Sequence, residues 1–211
     1  MALNPTEHEA MLKEHTEGFV AARNAQPCSI QSTFNAKVSK IAKRYSDPVK
    51  KTLLSQTCNE PLPSHLKLLP KDHKPGPLKG RPIVAAVDAP AARLPRFLAS
   101  ELYPLLRQAI PAHLDSTSSF LQAIAGVELS SNSEFASLDI VNLYGSIPLE
   151  DGMFPGALSI VTQFFDAHKG GTLLAPVTKE DFTALLRLSL TSDTIQVNSK
   201  RCKQVSGIQM N

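Results

Sequence analysis

The chain of 211 residues is 42% apolar and 19% charged. This composition is that of a folded protein with one sizeable core, and it excludes an intrinsically disordered chain. The sequence has neither an apolar run of about 18 residues nor a signal-peptide core, so we expect an intracellular protein, nuclear or cytoplasmic, without a membrane segment. The three cysteines stand far apart and the six histidines show neither HExxH nor a zinc-finger spacing, which argues against a disulfide framework or a structural zinc site.

The positive charge of the chain is concentrated in one block. Residues 61–110 contain eight Lys or Arg and three Asp or Glu, whereas the whole chain has a net charge of only +3. The remainder of the chain is therefore net negative. Such a block favours a polyanionic partner, such as nucleic acid or a triphosphate, and a solvated basic surface is the alternative explanation.

The first 59 residues are predicted to be helical. Thr6 and Glu9 form a capping box, which predicts a helix that continues until near Pro27. A second helix then ends at the sequence SDP at 46–48, which also begins a short third helix. This second helix is indicated by apolar residues at helical spacing on one face: Phe34, Val38, Ile41 and Tyr45.

The middle of the chain changes from extended to helical. Residues 61–80 are rich in proline and glycine, which excludes a helix, and the following RPIVAAV predicts a strand. After Pro90, apolar residues at helical spacing predict a helix that Pro104 kinks or ends. Asp115 is placed to cap a further helix that runs to Ala125.

The last part of the chain alternates between strands and helices. The sequence FASLDI predicts a strand, followed by a turn at GS and a helical stretch that two prolines interrupt. Thr178 and Asp181 predict a capped helix over EDFTALLRLSL. The segments DTIQV and RCKQV, separated by the turn residues NS, predict a β-hairpin. Taken together, the elements predict an α/β chain of the α+β class.

A basic, proline-rich segment, LPKDHKPGPLKGRPIV, leads into the first strong strand. Four cations lie between Lys71 and Arg81 on a backbone that prolines stiffen. Cations held on a stiff backbone lose less entropy on binding phosphate than cations on a flexible tail. Arg81 could bind a phosphate in bidentate fashion, with Lys74 as a point charge. A solvated basic loop is the alternative.

Asp139 is a carboxylate inside an otherwise apolar run, FASLDIVNLYGSIPL. Burial of an unpaired carboxylate is costly, so this residue requires a cap, an ion pair or a metal ion. A carboxylate near a strand end followed by a turn can hold Mg²⁺, but phosphoryl transfer needs at least two carboxylates, and only one is visible here. Tyr144, five residues later, could line a nucleotide sugar pocket or belong to the core.

Four ordered segments together resemble one family. LLPKDHKP, GRPIVAAVDAP, SLDIVNLYGSIPLEDG and KQVSGIQM are similar to the reverse transcriptases of Penelope-like retroelements, whose pattern runs roughly LPKxHKP, GRPIVS, LDVxxLYxxIP and QxxGxxMG. The resemblance covers about residues 60–211. It implies an RNA-directed DNA polymerase with a right-hand fold: a helical extension over 1–59, fingers over 60–132 and a partial palm over 133–211.

The resemblance also implies a role for each matching residue. Asp139 corresponds to the aspartate that coordinates two Mg²⁺ ions, and the backbone carbonyl of Ile140 assists it. Tyr144 corresponds to the residue that screens the sugar 2′-position and favours deoxynucleotides. Arg81 and Lys74 correspond to the fingers cations that grip the incoming deoxynucleoside triphosphate.

The closing segment completes the implied site and also shows where the chain departs from the family. Gln204 and Gly207 correspond to residues that contact the nascent base pair and the template of an RNA or DNA template-primer. Asn211 stands where the family continues with glycine, and no Asp-Asp dipeptide occurs in the sequence. The family carries its second catalytic aspartates in such a motif, so we expect a truncated palm and little or no polymerase activity from this chain alone.

Two other functions remain open on the sequence. The first is a non-catalytic nucleic-acid-binding remnant of a retroelement, which would keep the basic groove without the chemistry. The second is an unrelated metal-dependent phosphohydrolase that pairs Asp139 with Asp115 or Asp166. Binding to nucleic acid that weakens steeply with salt is expected of the reverse transcriptase and of the remnant, and it is not expected of the phosphohydrolase.

Overall fold

The computed structural model describes residues 5–16, 19–22, 26–71, 79–87, 89–128, 130–134, 136–140, 143–192, 194–204 and 207–208. These residues form eight helices and one five-stranded sheet, which confirms the α+β class. The helices are α1 Pro5–Thr16, α2 Pro27–Ala42, α3 Val49–Ser55, α4 Arg93–Ala109, α5 Thr117–Ile124, α6 Leu143–Ser146, α7 Ala157–His168 and α8 Lys179–Thr191. The strands are β1 Phe19–Ala21, β2 Ser64–Lys71, β3 Lys79–Ala85, β4 Ile195–Val197 and β5 Lys200–Gln204.

The sheet combines strands from the two ends and the middle of the chain. Its order is β1-β5-β4-β2-β3, with β2 and β4 parallel and every other pair antiparallel. β2 and β3 form the longest pairing, in which Leu69 lies opposite Arg81. The hairpin of β4 and β5 is attached to the rest of the sheet by the parallel pairing of β4 with β2. Residues that are more than a hundred positions apart therefore share one sheet.

The hydrophobic core lies among the helices and draws on all parts of the chain. α2 and α3 supply side chains from the N-terminal region, α4 supplies its apolar face, and α7 and α8 close the core from the C-terminal side. The Phe165 and Phe182 rings stack with their centroids 3.7 Å apart, which joins α7 to α8. The fully buried side chains include Phe34, Val38, Leu53, Leu94, Leu98, Phe165, Leu174, Phe182 and Leu185.

A buried carboxylate at the start of α8 connects this helix to the end of α2. Asp181 is only 4% exposed. It accepts a hydrogen bond from the Tyr45 hydroxyl at 2.7 Å and pairs with the Arg44 guanidinium. The Tyr45 oxygen in turn accepts the backbone N–H of Thr178 at 3.1 Å, and the Thr178 hydroxyl accepts the N–H of Asp181 at 3.2 Å. The four residues therefore satisfy one another's hydrogen-bonding groups at the point where α2 and α8 meet.

Several sequence predictions are confirmed. The apolar face of α2 is buried, α3 follows the SDP break as expected, and Thr178 caps α8. The proline-rich segment is extended in β2 as far as it is described, and RPIVA lies within β3. The predicted hairpin is present, and its turn residue Asn198 has a φ of 53°, a left-handed conformation that asparagine tolerates.

The first helix is shorter than its pattern predicted. α1 ends at Thr16, and Phe19–Ala21 forms a strand that pairs with β5, so the prediction of a helix up to Pro27 is wrong there. The pairing supplies backbone hydrogen bonds and tertiary contacts that outweigh the weak local preference for helix.

The middle of the chain settles one alternative and corrects one prediction. Pro104 was predicted to kink or to end the helix, and it does not end α4, which continues to Ala109. Asp115 does not cap the next helix, because Ser116 is the N-cap and its hydroxyl accepts the N–H of Ser119 at 3.1 Å. The Asp115 carboxylate is instead bound to side chains of α4 and of the loop after it.

The predicted strand FASLDI is also wrong over the residues that the structure describes. Residues 136–140 have no regular secondary structure and are exposed, and the predicted turn at GS lies in the short helix α6. An apolar run needs a neighbouring strand to form a ladder, and none of the five described strands pairs with this segment. None of the described helices is long and apolar enough to cross a membrane.

Asp181→Ala is expected to lower the free energy of unfolding by about 2 to 3 kcal/mol, because it leaves the Tyr45 hydroxyl without its acceptor in a part-buried setting. Urea denaturation measures the change. The control is Asp166→Ala, which removes an exposed ion pair with Lys169 and should cost less than about 1 kcal/mol. Equal losses in the two variants would contradict the role given to Asp181.

Candidate functional site

Arg81 lies on an exposed face of the sheet. Along β2 and β3 burial alternates, because Ser64, Gly80 and Val84 are buried whereas Lys67 and Arg81 are exposed. Residues opposite each other in an antiparallel pair point to the same side, and the pairing of β2 with β3 therefore puts Lys67 and Arg81 on one face. Neither side chain forms a hydrogen bond or ion pair with the part of the chain that the structure describes.

The same face continues across the other strands. His65 lies beside Gln196, and Gln196 lies opposite Arg201, so Arg201 shares the side of the sheet that carries Lys67. Lys203 follows two residues later along β5 and shares that side. We call this the basic sheet face; its four described cations are Lys67, Arg81, Arg201 and Lys203.

No carboxylate opposes these cations within the sheet, since the five strands contain no Asp or Glu. Three strand spacings separate β5 from β3, which is about 14 Å and wide enough for a few phosphates of a nucleic-acid strand. A depression of about 560 Å³ lies at the β4–β5 turn, lined by Ala21, Gln196, Ser199, Lys200 and Arg201. The face can therefore attract and hold anions.

Arg201 and Lys203 were not predicted as site residues. The alternation in KRCK carries the signal that places them together, because residues two positions apart in a strand point to the same side. Lys74, the second cation of the predicted triphosphate site, lies outside the described residues.

Three other predicted site residues come together at the end of the described chain. The backbone N–H of Ile208 donates to the carbonyl of Tyr144 at 2.8 Å, which joins α6 to the segment after β5. The side-chain amide of Gln204 donates to the carbonyl of Ile208 at 3.3 Å. Tyr144, Gln204 and Gly207 therefore lie in one neighbourhood although about sixty residues separate them in sequence.

Gly207 is the residue that permits this close approach. Its φ is +70°, and a Cβ atom built on it would lie 2.5 Å from the Tyr144 carbonyl oxygen and 2.6 Å from the Gly145 Cα. Any side chain would collide with backbone atoms, which cannot move aside as the end of a flexible side chain can. Tyr144 itself is 42% exposed, so its ring is open to a ligand and is not part of the core.

Asp139 and Ile140 lie in the exposed, irregular segment before α6. Ile140 is 64% exposed, and Asp139 forms no hydrogen bond or ion pair with the described residues. In the described part of the chain no three His, Cys, Asp or Glu side chains converge as metal ligands would. The donors present around Asp139 thus do not by themselves make a two-metal centre, and we derive no chemical step through one.

A charged cluster that no sequence pattern predicted lies at the end of α4. The Asp115 carboxylate accepts from the Tyr103 hydroxyl and lies 2.7 Å from Arg107 Nη2. These contacts, the Tyr103 hydrogen bond first, hold the pKa of Asp115 below its ordinary value, and the same hydrogen bond raises the pKa of Tyr103. His113 Nε2 lies 3.3 Å from Asp115 Oδ1 without hydrogen-bond geometry.

A polar groove of about 380 Å³ lies between α7 and α8. Glu150 and Arg187 form an ion pair at its edge, with Arg187 Nη2 2.9 Å from Glu150 Oε2. The Arg187 hydrogen bond lowers the pKa of Glu150. Inside the groove the hydroxyls of Thr162 and Thr183 are 3.1 Å apart. The polar groups along the groove are therefore largely paired with one another.

Comparison with known proteins provides no relative, since no family model, no curated protein and no solved structure matches the chain.

Gly207→Ala is expected to detach the last described residues from α6, because the left-handed backbone costs about 1 to 2 kcal/mol for alanine and the new Cβ collides with Tyr144. Hydrogen exchange of the Ile208 amide should accelerate by at least about tenfold. Gly170→Ala is the control, since no atom lies within 4 Å of its Cβ position. If the Ile208 amide were equally protected in Gly207→Ala, the role of Gly207 in the contact with α6 would be contradicted.

Proposed function

We propose that this chain is the fingers and the first part of the palm of a reverse transcriptase similar to those of Penelope-like retroelements. In this proposal the basic sheet face binds the phosphates of a template-primer or of a deoxynucleoside triphosphate. The neighbourhood of Tyr144, Gln204 and Gly207 receives the nucleotide sugar and the base pair. The basic sheet face is the observation that carries the proposal.

Electrostatics support phosphate binding on this face. Its four cations, which include Lys67 and Arg81, have no carboxylate beside them in any strand, so their fields add. Arg81 is exposed and without a partner among the described residues, which leaves its guanidinium ready for bidentate contact with a phosphate. The cations are held on a sheet, so little backbone entropy is lost when an anion binds.

The contact of α6 with the last described residues supports a nucleotide site at the end of β5, where Gln204 points to the side of the sheet opposite Lys203. Gln204 ends β5, the strand that also carries Arg201 and Lys203. Gly207 lets this segment lie directly against the backbone of Tyr144 and Gly145, which holds Tyr144 close to the end of β5. Tyr144 offers an exposed aromatic ring against which a sugar can pack.

In the complete reaction a primer 3′-hydroxyl attacks the α-phosphate of a deoxynucleotide and pyrophosphate leaves. Mg²⁺, if bound, would supply positive charge to the phosphate oxygens in such a reaction. Of the residues described, Asp139 is the one whose exposed carboxylate corresponds to a ligand, and Ile140 would contribute its carbonyl. The residues of this chain bind and orient the nucleotide and the template, and Asp139 alone does not form the metal pair.

A second candidate function is non-catalytic binding of nucleic acid. The observation that favours it is the isolation of Asp139, which has no neighbouring carboxylate cluster among the described residues. The phosphohydrolase alternative is weaker, because Asp115 is bound to Tyr103 and Arg107, and Asp166 lies 3.0 Å from Lys169. Neither carboxylate is free to share a metal ion with Asp139.

Arg81→Gln is expected to weaken binding of a single-stranded oligonucleotide about three- to tenfold at low salt. It should reduce the slope of log K against log salt by about one, because one phosphate contact is lost. Fluorescence anisotropy over a salt series measures both quantities. Lys50→Gln is the control, since Lys50 is an exposed lysine of α3, outside the sheet. An equal effect in the control, or salt-independent binding, would contradict the role of the sheet face.

The chain alone is expected to give no primer extension with Mg²⁺ or Mn²⁺, and Asp139→Asn should be indistinguishable from the native chain. The reason is that a metal pair needs a second carboxylate close to Asp139. A template-primer and labelled deoxynucleotides provide the assay, with an active polymerase as the positive control. Synthesis that disappears in Asp139→Asn would exclude the non-catalytic function and show that this chain holds a complete centre.

A further inference from the structure

α5 is an amphipathic helix with an uncovered apolar face. None of its residues is buried, and Phe120, Leu121 and Ile124 are 48%, 57% and 45% exposed. Phe120 and Ile124 are one helical turn apart and so lie on the same side. Val127, just after the helix, is 57% exposed and extends the surface. Contiguous exposed apolar side chains of this kind mark interaction surfaces.

The residues that follow α5 give this surface a negative charge. Residues 125–140 contain three Asp or Glu and no Lys or Arg. Glu128 and Glu134 are exposed and form no hydrogen bond or ion pair with the part of the chain that is described. We call α5 with Val127, Glu128 and Glu134 the acidic apolar surface. Its chemistry fits a partner that is both basic and apolar.

The same chain presents such a partner. The basic sheet face carries four cations, and two apolar side chains of the sheet are also exposed, Val20 at 49% and Leu69 at 48%. Val20 lies opposite Lys203, and Leu69 lies opposite Arg81, so each apolar side chain is beside a cation on this face. The two surfaces are therefore complementary in charge, and each also exposes apolar side chains.

We infer that the acidic apolar surface of one copy docks on the basic sheet face of a second copy. Burial of Phe120, Leu121 and Ile124 supplies the hydrophobic part of the contact. Glu128 and Glu134 face Lys67 and Lys203 and set the orientation. Because the two surfaces are different patches of the chain, the contact is heterologous or reciprocal, and either form needs both patches intact.

The inference rests on the sheet face that the proposed function also uses, and it adds a form of regulation. A docked second copy covers the cations that bind phosphate. Nucleic acid and self-association therefore compete, and the free oligonucleotide should dissociate the assembled copies in proportion to its occupancy. High salt weakens the ionic part of either contact, so salt alone does not separate them.

Complementary charge reversal tests the inference. In sedimentation equilibrium at low salt, the average molar mass of the native chain is expected to rise above that of one copy as the concentration increases. Glu128→Lys with Glu134→Lys, and separately Lys67→Glu with Lys203→Glu, should each weaken association by at least about tenfold, because like charges then face each other. An equimolar mixture of the two variants should associate again in a one-to-one ratio, because the reversed charges then face opposite charges.

Matched controls keep the outcomes distinct. Lys43→Glu with Lys50→Glu reverses two exposed charges outside the sheet and should leave association unchanged. Circular dichroism verifies that each variant is folded. A native chain that stays monomeric at every concentration, or a mixture that does not associate, would overturn the inference, and so would association of either double variant at native strength.

Oligonucleotide binding separates this inference from the proposed function. Glu128→Lys with Glu134→Lys should retain binding, whereas Lys67→Glu with Lys203→Glu should lose it. If the copies associate as expected but no variant binds an oligonucleotide, the proposed function falls and the docking stands. If the oligonucleotide binds the sheet face but the mixture does not associate, the docking falls and the proposed function stands.

Discussion

The position of α8 depends on the buried carboxylate of Asp181, and much of the structure follows from that position. A carboxylate in the first turn of a helix is favoured by the helix dipole, and here Tyr45 and Arg44 add hydrogen bonds that offset its desolvation. These contacts join the end of α2 to the start of α8, whose buried face then completes the core. α8 is followed directly by β4, so the same contact determines where the hairpin that completes the sheet begins.

The elements that local sequence predicted well are those whose stability is mostly local. The apolar spacing from Phe34 to Ile41 predicted the buried face of α2, and Thr178 predicted the start of α8 through its own hydroxyl. The turn at Asn198 predicted the β4–β5 hairpin because its strands are neighbours in sequence. Arg81 was also predicted on a strand, since RPIVA has strong strand propensity and follows a stiff, proline-rich segment.

The parts that could not be predicted depend on distant partners. Phe19–Ala21 looks helical locally, and it becomes a strand only because β5 lies beside it in space. The basic sheet face combines β2, β3 and β5, and sequence alone does not show that they share a sheet. Asp115 has the local signature of a cap, but Ser116 takes that role and leaves the carboxylate for Tyr103. The strand at Phe19–Ala21 is the case in which a tertiary contact overrides a local signal.

Asp139 illustrates how exposure changes the interpretation of a sequence pattern. A carboxylate among apolar residues would be costly if the run were a buried strand, and that cost made a bound partner necessary. In the structure the segment is exposed, and Leu138 beside it is 96% exposed, so the Asp139 carboxylate is solvated. The unfavourable feature is instead the exposure of the neighbouring apolar side chains to water. It is therefore Leu138 and Ile140, and not Asp139, that need a partner. Any surface that covers these two side chains must also accommodate the charge of the carboxylate between them.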